Sequence, residues 1–228
     1  MPRANNSRAA GRTRMSAEQR RESILEAAAE VFAANGYRAG RVSDVAARIG
    51  VSEPVIFQNF GSKAALYAAV LARVAGEIQL ELTALVEHYG SASDLLAHVL
   101  DPSHGPRFHS PGSHGVLFAD AATLTADPEL SEPTRRAVRT VADHLGDLVR
   151  RGQSDGDVRA DLDPEAAAWL LLSVFWARPL RTAVMPDPDQ LEGRIAAAAL
   201  GALVGPQART AAGLAPTPRS SSPQAAHP

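Results

Sequence analysis

The chain has 228 residues, of which 44 are alanine, and its 23 Lys and Arg against 25 Asp and Glu leave a formal net charge of −2. The absence of cysteine excludes a disulfide framework, a thiolate metal site and a cysteine nucleophile. The longest nearly apolar run, 166–177, has about 12 residues, whereas a membrane-spanning helix needs roughly 20. No apolar segment typical of a secretory signal follows the first residues. Because alanine favours helices, the composition predicts a soluble, cytoplasmic, all-α protein of one or two domains.

The charge is unevenly distributed along the chain. Residues 1–63 contain ten cations and six anions, so this part carries +4 and the remainder −6. A basic end on an acidic body favours a polyanionic partner for that end. The Arg-rich segment 1–15 has no periodicity, and we expect a disordered arm there. That arm either contacts DNA or only keeps the chain in solution.

Helical periodicity starts at Ser16, a predicted N-cap, and ends at Gly36. Two shorter helical patterns follow, one over 42–49 and one that Ser52 caps and Gly61 ends. Ser62 is predicted to cap a long helix that runs to about residue 88. Three short helices joined by tight turns are typical of a helix-turn-helix unit, whose second helix lies in the DNA major groove.

The remainder of the chain keeps the helical pattern. Asp163 followed by Pro164 and Glu165 is a strong helix start. The predicted helices cover 94–100 (capped by Ser93), 116–124, 132–153, 164–184 and 189–204. A loop rich in Pro, Gly, Ser and His occupies 101–115. The segment 205–228 is rich in Pro, Ala and Ser, and we expect it to be disordered.

The stretch from Arg20 to Val70 resembles the DNA-binding domain of TetR-type transcriptional regulators. The residues that carry the resemblance are Ile24, Leu25, Ala27, Ala28, Phe32, Gly36, Tyr37, Val45, Ala46, Gly50, Val51, Ser52, Ile56, Phe57, Phe60, Gly61, Ser62, Lys63 and Leu66. The resemblance implies a helix-turn-helix DNA-binding domain over 18–78, with its motif at 41–60. It also implies a helical ligand-binding and dimerisation domain over 79–204, between the arm 1–15 and the tail 205–228. The implied function is a homodimeric repressor that leaves a palindromic operator when a small molecule binds.

By position in the family pattern, nine residues are expected to face DNA. They are Arg41, Ser43, Ser52, Glu53, Pro54, Val55, Gln58, Asn59 and Lys63. Lys63 stands at a helix N-terminus, where phosphate binding is favoured, although a surface lysine would also fit there. Gln58 and Asn59 carry amides suited to adenine edges, and the alternative is a polar face in solvent.

Three departures from the family pattern affect this surface. Phe57 replaces the usual tyrosine, and we expect it in the core. Gly40 stands where we expect a capping threonine, a loss that Arg41 could offset with a phosphate contact. Glu53 would repel phosphate unless it accepts a hydrogen bond from a cytosine amino group.

The C-terminal part offers three weaker hypotheses. Asp101, His104, His109 and His114 could bind a metal, but a loop that gates a pocket explains them as well, and we expect no metal and no cofactor. The large aromatic residues belong either to the core or to an apolar ligand pocket; they are Phe108, Phe118, Trp169, Phe175 and Trp176. Close helix approach favours a dimer surface formed by Ala166, Leu170, Val174, Ile195, Ala198, Ala199 and Ala202.

The sequence contains none of the common catalytic motifs. There is no Gly-x-Ser-x-Gly elbow, phosphate-binding glycine loop or His-Glu-x-x-His helix, so we expect a regulator and not an enzyme. The expected partners are operator DNA, a second copy of the chain and an unknown apolar small molecule, with no membrane. Two alternatives stay open: activation of transcription, and nonspecific coating of DNA by an architectural protein, which would bind with steep salt dependence but without sequence preference.

Overall fold

A computed structural model describes residues 16–104 and 114–204. The predicted arm 1–15 and tail 205–228, together with the central segment 105–113, lie outside the described residues. The helices are α1 (Ala17–Ala39), α2 (Val42–Ile49), α3 (Glu53–Phe60), α4 (Lys63–Tyr89), α5 (Ala92–Leu100), α6 (His114–Ala122), α7 (Pro128–Asp155), α8 (Pro164–Trp176), α9 (Arg178–Val184) and α10 (Pro188–Leu203). The described residues contain no strand, only an isolated antiparallel bridge between Val158 and Val204. They also include no helix long and apolar enough to cross a membrane.

Helices α1, α2 and α3 pack with the start of α4 as an N-terminal unit. The predicted cap of α1 is confirmed, because Ser16 Oγ accepts from the Gln19 amide at 3.1 Å and Gln19 Oε1 accepts from the Ser16 amide at 2.9 Å. The apolar residues that recur at helical spacing point inward. Ile24, Val45 and Ile56 are at most 1% exposed. These residues fix how the short helices lie on α1 and α4.

The long helix α4 belongs to both halves of the molecule. It packs against α1 and α3 of the N-terminal unit and against α5 and α7 of the C-terminal part. The buried apolar residues form a single cluster that extends from Ile24 to Leu203. The domain boundary predicted between residues 78 and 79 therefore falls inside a continuous helix and a continuous core.

The C-terminal part is a helical bundle centred on α7. This helix packs against α4, α5, α6 and α8, while α10 packs against α5 and α8. Helix α6 also contacts α1. That contact joins the C-terminal bundle to the N-terminal unit at a point other than α4.

Several predicted helix starts are wrong by a few residues. Asp127 and Asp187 cap α7 and α10, accepting from Glu129 N at 2.9 Å and Gln190 N at 3.2 Å. Both starts repeat the Asp-Pro-acid pattern of the α8 start, where Asp163 Oδ1 accepts from Ala166 N at 2.7 Å. In α5, Ser91 and not Ser93 is the N-cap. Helix α6 begins at His114 instead of residue 116.

The single helix predicted over 164–184 is broken at Ala177. Helix α8 ends at Trp176 and α9 begins at Arg178. Position 179, two residues after the break, is a proline, whose nitrogen has no proton to donate to the carbonyl four residues earlier.

Candidate nucleic-acid interface

The turn between α2 and α3 is short because Gly50 adopts a left-handed conformation, with φ 70° and ψ 33°. Residues with a Cβ rarely adopt this conformation. The Val51 amide donates to the Ala46 carbonyl at 3.0 Å and closes the turn. Val45 on α2 and Ile56 on α3 are fully or almost fully buried, so the opposite face of α3 is left towards solvent. This arrangement is that of a helix-turn-helix with α3 as the recognition helix.

The predicted DNA-facing residues of α3 are unequally accessible. Ser52, Glu53, Pro54 and Gln58 are exposed, whereas Val55 and Asn59 are half-buried. The Asn59 side-chain amide donates to the Val55 carbonyl at 2.7 Å within the helix. This hydrogen bond must break before the amide nitrogen can donate to a base edge. Gln58 is therefore the better candidate for base readout.

The prediction that Phe57 belongs to the core is wrong. Phe57 is 40% exposed, because the short α3 turns only Ile56 and Phe60 inward. An exposed ring on this face can contact sugars or a thymine methyl group.

Helix α2 starts without a side-chain cap. Its N-cap is Arg41, which makes no capping hydrogen bond, so the assignment of the cap position to Gly40 is wrong. A Cβ at position 40 would lie 2.7 Å from Phe32 Cδ1 and 2.8 Å from the Gly36 carbonyl oxygen. Glycine is present at 40 because α1 leaves no room for a side chain. Arg41 is exposed and Ser43 is half-buried.

Lys63 is the first residue of α4, where Ser62 Oγ accepts from the Ala65 amide at 3.0 Å. The half-buried Lys63 ammonium donates to the Arg38 carbonyl at 3.3 Å and lies 4.7 Å from the centre of the Tyr37 ring. Burial lowers the pKa of Lys63, and the nearby Asp120 carboxylate opposes this shift. The side chain is thus held in place next to a helix N-terminus, a favourable site for a phosphate.

Arg21 is a residue of this surface that the sequence analysis did not single out. Its guanidinium donates to the Asn59 carbonyl at 2.8 Å and lies 4.1 Å from the centre of the Phe60 ring. The available signal was the spacing of three, four and seven residues to the buried Ile24, Leu25 and Ala28, which puts the exposed Arg21 at the edge of the buried face of α1.

A cavity of about 120 Å³ lies in the C-terminal bundle and is lined by residues of α4, α5, α6, α7 and α8. Three of the predicted pocket aromatics, Phe118, Phe175 and Trp176, line it, and its polar lining residues are Glu81 and His98. Trp169 lies outside the cavity and is 39% exposed, and Phe108 falls outside the described residues. The walls are mainly aliphatic and aromatic, which suits an apolar occupant.

Both halves of the chain match models of known protein families. Residues 24–70 match the model described as bacterial regulatory proteins of the tetR family. Residues 90–199 match the tetracyclin repressor-like C-terminal domain. Together the two matches take in well over half of the chain. The chain belongs to the TetR family.

TetR-family relatives match the chain over part of their length. The transcriptional activator FasR of Mycolicibacterium smegmatis is 44% identical over 138 residues, which are 60% of this chain and 62% of FasR. The transcriptional repressor Rv3405c of Mycobacterium tuberculosis is 37% identical over 82 residues, 36% of this chain and 40% of that protein. The aligned parts are therefore less than two thirds of either relative. Among solved structures, reduced Escherichia coli NemR matches with a TM-score of 0.70 at 17% identity over 82% of this chain and 97% of NemR.

Helices α8 and α10 of this TetR-family chain turn small and apolar residues outward. The exposed members of the predicted dimer surface are Ala166, Leu170, Ala198 and Ala202. Trp169 lies next to them on α8, while Val174 and Ile195 are half-buried. Ala199 is buried against the chain's own core, so its side chain is not part of this outer face.

The predicted cluster of Asp101 and three histidines is only partly described. Asp101 Oδ1 accepts from the Ser103 amide at 2.8 Å. His109 and the side chains of His104 and His114 lie outside what the structure describes. Within the described residues, no group of three or more His, Asp or Glu side chains is arranged to hold a metal.

Proposed function

We propose that this TetR-family protein is a homodimeric, sequence-specific regulator of transcription that releases a palindromic operator when an apolar small molecule enters its C-terminal bundle. The observation that carries the proposal is the exposed polar face of α3 beside the positioned ammonium of Lys63. Gln58 supplies a side chain for base edges, and Lys63 supplies a cation for the phosphate backbone. Because genomic DNA is the target, the proposed place of action is the cytoplasm, and the protein acts by binding and not by catalysis.

Dimerisation through the outer faces of α8 and α10 would complete the reading surface. The exposed alanines allow close helix approach, and Trp169 and Leu170 contribute large apolar area, so two copies can form a four-helix bundle. A two-fold dimer presents two copies of α3, and its half-sites lie about 34–36 Å apart, one turn of DNA.

The dimer surface can be tested by one substitution with a matched control. Leu170→Glu places a charge within the proposed bundle and should convert the dimer to a monomer in sedimentation equilibrium. Leu80→Glu is the control, because Leu80 is 70% exposed on α4 and lies outside the proposed surface. A dimer that tolerates Leu170→Glu as well as Leu80→Glu would contradict this assignment.

The direction of regulation is proposed as repression, with activation as the alternative. The similar proteins bear both descriptions, since FasR is named an activator and Rv3405c a repressor. A transcription assay with purified RNA polymerase on a promoter carrying the recovered operator separates the two, because a repressor lowers transcript yield and an activator raises it.

The DNA-binding function is tested by selecting genomic fragments with the purified protein. We expect enrichment of a palindromic site whose half-sites are about ten base pairs apart, centre to centre. Binding to this site should exceed binding to a scrambled duplex by at least about a thousandfold at physiological salt. Equal binding to both duplexes, with steep salt dependence, would instead indicate a nonspecific architectural protein.

A further inference from the structure

One carboxylate connects the cavity-lining helix α6 to the N-terminal unit. Gly115 and Phe118 of α6 line the cavity. Two residues after Phe118, Asp120 Oδ2 accepts from the Tyr37 amide at 2.7 Å and from the Tyr67 hydroxyl at 2.8 Å. Tyr37 lies at the end of α1 and Tyr67 in the second turn of α4. The same short helix therefore forms a cavity wall and binds two elements of the DNA-binding unit.

The chain is shaped locally to let Asp120 approach α1. Gly36 has φ 70°, and a Cβ at this position would lie 2.9 Å from Asp120 Oδ1 and 3.3 Å from its Cγ. The backbone conformation therefore favours glycine, and a Cβ at this position would also have to displace the Asp120 carboxylate. This contact gives a physical reason for the Gly36-Tyr37 pair that the sequence shares with its family.

The Tyr67 end of the connection lies in the core. Tyr67 is fully buried, and its hydroxyl also lies 3.2 Å from the Leu117 carbonyl on α6. Burial, followed by the hydrogen bond to Asp120, raises the pKa of Tyr67 strongly. The phenol consequently stays protonated and available as a donor.

From Tyr37 the connection continues to the proposed phosphate contact. The Tyr37 ring lies under the Lys63 ammonium, and the carbonyl of the next residue, Arg38, accepts from it. Asp120 also acts on Lys63 directly, because its negative charge favours the ammonium form. Any displacement of Asp120 therefore changes both the support and the electrostatic environment of Lys63.

We propose that Asp120 is a positioning residue that couples occupancy of the cavity to the placement of Lys63 on DNA. This inference rests on the proposed function. Ligand pockets commonly have volumes of about 300–1,000 Å³, so an occupant of that size exceeds the 120 Å³ cavity and is expected to displace its walls. Helix α6 is one of those walls, and its movement strains the bonds from Asp120 to Tyr37 and Tyr67. Release of these bonds frees Lys63 and weakens operator binding.

The first experiment uses no ligand and compares Asp120→Leu with Asp120→Asn on the recovered operator. Leucine keeps the approximate bulk but accepts no hydrogen bond, and we expect about tenfold weaker binding, within the usual range of coupling between sites. Asparagine keeps an acceptor oxygen and should bind within about threefold of the wild type, since one amide oxygen can accept both bonds. Asp143→Leu, an exposed position on α7, serves as the matched control. Equal affinity of Asp120→Leu and wild type, or equal loss in Asp120→Leu and Asp120→Asn, overturns the proposal.

The second experiment measures coupling with the apolar fluorescent probe 1-N-phenylnaphthylamine. In the wild type, saturating probe should weaken operator binding at least about fivefold, and in Asp120→Leu the probe should bind but change operator affinity less than twofold. An equal response of both proteins overturns the role of Asp120 and leaves the ligand-responsive function standing. A bound probe without effect on operator affinity in the wild type overturns both.

A third measurement needs no variant and so does not depend on the folding of Asp120→Leu. The Tyr37 amide should be protected from hydrogen exchange in the full-length wild type, and the probe should accelerate its exchange at least tenfold. Protection that is unchanged while the probe is bound contradicts the proposed release.

Discussion

The Arg21 guanidinium on α1 donates to the carbonyl oxygen of Asn59, in the last turn of the recognition helix, at 2.8 Å. A cation at this point also meets the negative end of the α3 dipole. The contact therefore fixes the orientation of α3 from its C-terminal end, opposite to the end that begins at Ser52. The placement of base-reading side chains depends on a residue that need not touch DNA.

Replacing Arg21 by methionine, which keeps an unbranched apolar side chain, should lower operator affinity about tenfold, which corresponds to the lower end of the roughly 1.5–3 kcal/mol of a charged hydrogen bond. Binding to a scrambled duplex should change much less, because misorientation of α3 affects base contacts more than backbone contacts. Fluorescence anisotropy with both duplexes measures the two affinities. An equal loss on both would identify Arg21 as a phosphate contact instead.

Lys63→Ala should weaken binding to all DNA by a similar factor, because phosphate contacts carry no sequence information. The slope of log affinity against log salt should also become shallower by about 1.8, because a dimer loses one phosphate contact of about 0.9 in each half-site. Arg139→Ala, which removes an exposed cation of α7, is the control. Unchanged affinity and slope in Lys63→Ala would show that the ammonium does not face DNA.

Gln58→Ala should relax specificity at one base pair in each half-site of the operator. A good bidentate amide contact is worth about 1–3 kcal/mol of discrimination, so the preferred base should lose roughly tenfold or more of its advantage at that position. Binding to operators substituted at each position in turn identifies the pair. Asn59→Ala should have a smaller effect, because its amide is already bonded to Val55, and a larger effect of Asn59→Ala would reverse the assignment.

The raised pKa of Tyr67 predicts a loss of stability in alkali. Burial and the Asp120 hydrogen bond hold the phenol protonated in the folded protein above its ordinary pKa of 10.0. The unfolded chain releases this proton at about pH 10, so the stabilisation is complete below that pH and is lost as the pH rises further. In the Tyr67→Phe variant, the free energy of unfolding should fall less steeply with rising pH than in the wild type, by up to about 1.4 kcal/mol per pH unit. Urea unfolding between pH 8 and 11 measures the free energies, and parallel curves for the two proteins would refute the prediction.

Removing one partner of the Arg181–Glu192 ion pair should destabilise the protein strongly, whereas replacing both partners by apolar residues should destabilise it little. Arg181 Nε and Nη2 lie 2.6 Å and 2.9 Å from the Glu192 carboxylate oxygens, and Nη2 also donates to the Val174 carbonyl at 2.8 Å. Glu192→Ala leaves a largely buried cation unpaired and should cost about 3–5 kcal/mol. Combining Arg181→Met with Glu192→Leu should recover most of that stability in urea unfolding. A cost below about 1 kcal/mol for Glu192→Ala would show that the pair is solvated.

The N-terminal helices could be predicted because their signals are local. Ser16, Gly50 and Ser62 mark ends that depend on backbone conformation and caps, and the inward positions follow the helical period. Phe57 was misplaced because a helix of eight residues has too few inward positions for three large residues, and the period alone does not show which one is left out.

The connection between the halves could not be predicted in the same way. Asp120 is 83 residues from Tyr37 and 53 from Tyr67, and no periodicity relates positions so far apart. The lining of the cavity is likewise a product of five helices. Sequence pattern selected Phe118, Phe175 and Trp176 by residue type, but it could not distinguish them from Trp169, which faces outward.

Lys63 is also a single side-chain site for chemical modification by amine-reactive reagents. It is the only lysine of the chain, so apart from the α-amino group an amine-reactive reagent can modify one side chain alone. Since burial lowers its pKa, a larger fraction of its amine is uncharged and nucleophilic at mildly alkaline pH than for an ordinary surface lysine. The rate of acylation at this one nitrogen therefore reports directly on how it is covered, by Tyr37 and Arg38 in the free protein or by a phosphate in a complex.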